Sequence, residues 1–158
     1  MPISQTYEPI ATQSSNGSAS TITFSSIPST FTDLVLVIRG SGSGGSVDTT
    51  LRFNSDSGTN YSRHYMYGDG NSVQRAVNVN MSQIGSGVNV VHHFMNYSNT
   101  NVFKTIIGNY WESSNLALTQ AILWRSTSAI DTIAISIVGS GQTFTSGSTF
   151  TLYGIKAA

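Results

Sequence analysis

The chain contains no cysteine, which excludes disulfides and thiolate metal sites and leaves the redox compartment open. Lys and Glu occur only twice each in 158 residues. These two residues ordinarily coat the solvent side of helices, so their scarcity argues against surface helices. Long apolar runs are missing as well. Leu34 to Ile38 is the longest plain stretch, far short of the roughly 18 residues that a membrane helix needs. The first residues, Met1 to Gln5, lack the basic and apolar regions of a secretory signal, and a soluble chain with no membrane partner is expected. Clustered charge is lacking too. Seven basic residues balance seven acidic ones, scattered singly, without the basic patch that displaces counterions from phosphates. Nucleic acid is therefore not an expected partner.

What fills the chain instead is Ser (26), Thr (18), Gly (15) and Asn (12) on a background of 39% hydrophobic residues. Thr, Val, Ile and the aromatics favour strands, while Ser, Asn and Gly favour turns. The recurrence of apolar residues along the whole length speaks for a packed core rather than disorder. At 16.8 kDa the chain fits a single domain able to fold without staples.

Strand patterns recur at short intervals. Thr21 to Ser25 alternates apolar and polar, the mark of a half-buried strand. Asp33 to Arg39 encloses a continuous apolar run, the pattern of a strand covered on both faces. Further candidates are Thr50 to Phe53, Ser62 to Tyr67, Arg75 to Val79, Val88 to Asn96, Phe103 to Tyr110, Leu116 to Trp124, Thr132 to Val138 and Thr149 to Ile155. Gly-, Asn- and Ser-rich turns separate them, and no segment keeps a helical apolar period over three turns. About ten short strands with such frequent turns predict an all-β fold, an antiparallel, jelly-roll-like β-sandwich. It spans residues 21–158, with residues 1–20 an arm belonging to the same unit.

The motifs that could carry chemistry read better as structure. Gly40 to Gly45 fits G-x-G-x-x-G by letter. A turn and a strand follow it rather than the helix whose amides would hold a pyrophosphate, so a flexible hairpin loop is expected. Asn54, Asp56, Gly58 and Asn60 alternate as in a calcium loop, but Tyr65 stands where the bidentate Glu would be. Asx-turn chemistry accounts for these residues equally well. His92 and His93 are adjacent on a strand and point to opposite faces, so they cannot chelate together, and with His64 they read as buried or edge imidazoles. No nucleophile elbow and no carboxylate pair is visible, so no catalytic residue, cofactor or metal site is assigned and an enzyme is not expected. Sequons at Asn16, Asn60, Asn80 and Asn96 are about what this composition produces by chance. The aromatics Tyr65, Tyr67, Tyr97, Tyr110, Trp111 and Trp124 lie at strand ends or beside turns. There they serve either core and interface packing or stacking on sugar rings.

Several stretches resemble a family of small virion proteins of tailed phages and prophages. They are Tyr7 to Thr12, Ile22 to Leu36, Leu51 to Ser62, Asn96 to Thr100 with Phe103 to Thr105, Leu123 to Ser126, and Gly147 to Lys156. The similarity runs in order along nearly the whole chain and departs mainly between Val73 and Val91. The resemblance implies a β-sandwich virion component docked on a capsid or tail protein, and it carries over no catalytic residue. The expected function is capsid decoration, a cement protein reinforcing the shell as a homotrimer. The alternative is a tail-fibre or adhesin domain that binds host glycans. Tyr7 and Ile10 on the arm, with Tyr97, Tyr110 and Trp111, are the expected partner-binding residues.

Overall fold

The computed structural model describes residues 6–67, 73–77, 81–85, 88–111 and 117–156. Among them the chain is all-β, with twelve strands in an eight-stranded and a four-stranded antiparallel sheet. In chain order the strands are β1 (Tyr7–Ser14), β2 (Thr21–Phe24), β3 (Asp33–Arg39), β4 (Val47–Phe53), β5 (Tyr61–Tyr67) and β6 (Val73–Val77). They continue as β7 (Met81–Ile84), β8 (Asn89–Met95), β9 (Lys104–Trp111), β10 (Ala117–Trp124), β11 (Ile133–Ile137) and β12 (Thr149–Ile155).

The strand order explains how so polar a chain closes a core. The large sheet runs β1-β12-β3-β8-β9-β10-β5-β6 and the small one β2-β11-β4-β7. Four pairs are nested in sequence: β1 with β12, β2 with β11, β3 with β8 and β4 with β7. Successive pairs alternate between the sheets, so the chain lays one layer and then the other as it folds inward. The strands β5 and β6, and likewise β9 and β10, fall between the members of these pairs and widen only the large sheet.

Alternation within each strand then supplies the core. On β4, Val47, Thr49, Leu51 and Phe53 are buried while Asp48 is exposed. Leu34, Leu36 and Ile38 on β3 face Ile22, Phe24, Ile133 and Ile135 of the small sheet within one apolar cluster. Phe53 anchors an aromatic group, with ring centroids 5.8 Å from Tyr61, 5.7 Å from Phe94 and 5.4 Å from Trp124. Such tilted and edge contacts add to area burial. Fully burying side chains of this size stabilises by roughly 1.5–3 kcal/mol each.

Two strands escape the sequence pattern. β1 lies within the expected arm, yet its backbone pairs with β12 of the same chain from Tyr7↔Ile155 to Ser14↔Thr149. A register shift between Pro9 and Ala11 breaks its alternation, which hides the period of two. β7 is only four residues long and polar at Ser82 and Gln83. The Gly40–Gly45 segment also differs from the flexible loop expected. Gly42 and Gly45 exchange two backbone hydrogen bonds of 2.9 Å, and Ser43 N donates to Thr143 O at 2.8 Å.

Candidate interaction surface

Of the expected partner-binding residues, two face the core. Tyr97 is 0% exposed. Its hydroxyl donates to Pro28 O and accepts from Phe31 N, so it pins the β2–β3 loop. Tyr110 is 2% exposed and donates to Gln83 Oε1 at 3.0 Å, tying β9 to β7 of the opposite sheet. Their place on inward-facing positions withdraws both from any contact surface. Ile10 is half-buried against the core. Tyr7 is exposed at 55%, on an edge strand. The backbone of Trp111 pairs with Ala117 and Asn89; its side chain, like that of Tyr67, lies outside the described residues.

The other candidate motifs resolve into loop architecture. Asp56 accepts hydrogen bonds from Gly58 N (2.8 Å), Asn60 Nδ2 (2.9 Å) and Trp124 Nε1 (2.7 Å). The indole donor first, and the Asn60 amide second, hold its carboxyl below the ordinary Asp value. These bonds form an Asx turn that ties the β4–β5 loop to the core. Among the described residues no group of three or more His, Asp or Glu gathers as a metal site would require.

The histidines separate as strand alternation demands. His92 points inward and is 0% exposed, and burial pushes its pKa down to about 4. Among the described residues neither of its ring nitrogens has a hydrogen-bond partner, nor does the Oε1 of the buried Gln120. Both pack over Gly108, where a β-carbon would lie 2.7 Å from His92 Nδ1 and 2.9 Å from Gln120 Nε2. Glycine is thus required by close approach. His93 points outward, with Nε2 3.0 Å from Asp33 Oδ2, while Asp33 Oδ1 accepts from Asn96 N at 2.7 Å.

The outward face around His93 is the feature that sequence motifs did not indicate. In register across six strands it carries Tyr153, Val35, His93, Ile107, Ala121 and His64. The next row is Thr151, Val37, Val91, Asn109, Thr119 and Met66. An antiparallel sheet with one solvated face normally presents polar residues there; this one mixes Tyr, His, Thr and Asn with Val37, Val91, Ile107, Ala121 and Met66, and Val35 among them is only 8% exposed. Ala121 floors a depression of about 300 Å³ walled by His64, Met66, Ile107 and Thr119, and Met66 is 53% exposed. The signal was available in the Leu34–Ile38 run, whose pattern belongs to a strand covered on both sides. No family model matches the chain, and no curated protein matches it significantly.

Proposed function

We propose that the protein is a phage virion structural component, a capsid decoration or cement protein that reinforces the shell as an oligomer. The observation that carries this reading is the nested, sheet-alternating strand pairing. It supports a jelly roll elaborated by the strands β5, β6, β9 and β10, and jelly rolls serve repeatedly as viral capsid domains. Architecture by itself does not specify function; the stretches that resemble phage virion proteins are what support a virion role. Attachment rests on apolar contact and backbone pairing, because net charge is zero and steering contributes little. The edge strand β1, with Tyr7 exposed on it, is the docking element: its outer edge faces no strand among those described and can add to a partner sheet.

Counting copies per particle in purified virions tests the reading. Hundreds of copies support decoration, a handful moves the protein to the tail, and none removes it from the virion. Washing should release it with mild denaturant and not with about half-molar salt, since salt screens charges and spares apolar burial. Deletion of Met1 to Gln5 should weaken attachment while the sandwich stays folded. The glycan reading depended on aromatic rings at the surface, and the burial of Tyr97, Tyr110 and Trp124 leaves it with less support.

A further inference from the structure

We infer that the outer edge of β1 is closed to a second copy of this chain and open to a partner's strand only over Thr12 to Ser14. The inference rests on the docking role given to β1 above and names the stretch that such docking would use.

Backbone direction along β1 follows from the bonds at its two ends. Lys156 N donates to Thr6 O at 3.1 Å before the bulge, and Ser15 N donates to Ser148 O at 2.9 Å after it. Residues that bond a given neighbour alternate along an antiparallel ladder. Glu8, Ala11 and Gln13 therefore turn their backbone groups toward β12, while Tyr7, Pro9, Thr12 and Ser14 turn theirs outward.

The outward groups fall into two halves. Tyr7 and Pro9 are in phase with each other, and so are Thr12 and Ser14. The register shift between Pro9 and Ala11 puts two residues rather than one between Pro9 and Thr12. A regular strand matched to Thr12 and Ser14 thus presents its non-bonding residues to Pro9 and Tyr7, and it pairs with one half or the other. The half at Pro9 is defective, because proline has no N–H to give. Glu8 adds a charge there, 2.7 Å from Lys156, and charge deters edge pairing. On the neighbouring edge strand β2, Gln13 Nε2 already donates to Thr23 O at 2.6 Å. What remains is about 7 Å of edge, carrying the N–H and C=O of Thr12 and Ser14.

A second copy meets a different obstacle. Set antiparallel across a two-fold axis, with β1 overlapped along its length, the copies share the bulge and stay in phase. Tyr7 then faces Ser14 and Pro9 faces Thr12, outward groups against outward groups. By symmetry the Pro9–Thr12 pair occurs in both halves of the contact. Each time the Thr12 carbonyl meets the proline ring in place of a donor, and a carbonyl stripped of water without a donor opposes association. Natural sheets use edge proline and bulges in this way against edge-to-edge pairing. Pro9 is the group that spoils the register.

Light scattering on the purified full-length chain tests the inference. Pro9→Thr should open a mutual edge contact and double the wild-type mass at tens of micromolar, with the circular dichroism spectrum unchanged. Adding Thr12→Pro, or Ser14→Pro, should return the mass to the wild-type value, since each removes an outward N–H and no bond to β12. Pro9→Thr with the wild-type mass overturns the inference, as does a doubling that survives in a folded double variant. So does a wild-type oligomer dissolved by Thr12→Pro alone, which would be the copy contact held to be closed. On virions that carry the wild-type chain, Thr12→Pro should lower occupancy at least tenfold, and equal occupancy overturns the open half. A wild-type chain absent from virions removes the decoration reading instead, and the light-scattering results then decide the edge by themselves.

Discussion

The two ends of the sandwich close by different means. At the end where β4, β8 and β10 finish, long polar side chains reach into neighbouring loops. Asn54 Nδ2 donates to Ala129 O at 2.6 Å, and its Oδ1 accepts from Asp131 N and Thr132 N. Lys104, 1% exposed, donates to three carbonyls, those of Asn99, Val102 and Thr127. Left-handed backbone there falls on Ser26, Asn54, Ser55 and Asn96. At the opposite end the positive-φ positions are Gly17, Gly45, Gly139, Gly141 and Gly147, and closure comes chiefly from backbone bonds such as Gly147 N to Ser15 O at 2.9 Å. One end is tied by side chains that cannot be exchanged. The other is tied by backbone bonds helped by short hydroxyl side chains, such as Ser15 Oγ, which donates to Phe144 O at 3.0 Å, and Thr145 Oγ1, which donates to Ser41 O at 3.1 Å. The side-chain end also projects Val102 (44% exposed) and Phe103 (51%) from a loop that Lys104 holds from beneath.

If that contrast holds, Lys104→Met should be the most costly change. It keeps the volume but takes the charged donor from three part-buried carbonyls, and a loss of about 4 kcal/mol is expected. Chemical denaturation measures it, and a loss below about 1 kcal/mol would mean water replaces the ammonium.

Acid probes the region between the ends and then one end alone. His92 has a folded pKa depressed from 6.5 to about 4, so its neutral burial favours folding above pH 6.5. That contribution is lost as pH falls from 6.5 through 4, and destabilisation should reach about 3 kcal/mol. His92→Gln should flatten this limb of the stability profile. Asp56, whose pKa is lowered by the Trp124 indole and the Asn60 amide, contributes above the unfolded value of 3.8 and loses that contribution below it. The Trp124 indole proton and the Gly58 amide should therefore shift with its titration in NMR spectra, while the Gly42 and Gly45 amides stay still.

Asn54→Ala should cost about 2 kcal/mol, because it forfeits bonds to three backbone groups and leaves a left-handed residue. Asn54→Gly relieves the dihedral alone and should recover only part of that loss. At the glycine end, Gly45→Ala meets no atom within 4 Å and pays only for a φ of 99°, about 1 kcal/mol. Thermal melts of these three variants order the two ends. Equal losses for Asn54→Ala and Gly45→Ala would erase the distinction.

How far these features can be read from the chain depends on how local their causes are. The strand at Asp33–Arg39 and that at Thr149–Ile155 are visible to the residue, because period and turn residues are local properties. β1 is not, since Pro9 and the adjacent bulge interrupt its alternation. Lys104 is legible only as a surface lysine until two carbonyls of the loop just before it, Asn99 and Val102, and one of the β10–β11 loop, Thr127, converge on it. Tyr97 and Tyr110 look like surface aromatics beside turns, and the inward register that buries Tyr110 passes through Lys104, Ile106 and Gly108, a lysine and a glycine that disguise a core face.

By itself, then, the sequence determined that the protein is a β-sandwich without stapling bonds, for those conclusions follow from composition and a period of two. Only the tertiary structure decided which strands pair and which aromatics are buried. Alternation assigns residues to opposite sides of a strand but is blind to what lies across either side. That depends on contacts between residues far apart in the chain, such as Leu34 and Phe94, and on the order in which strands are laid into the two sheets.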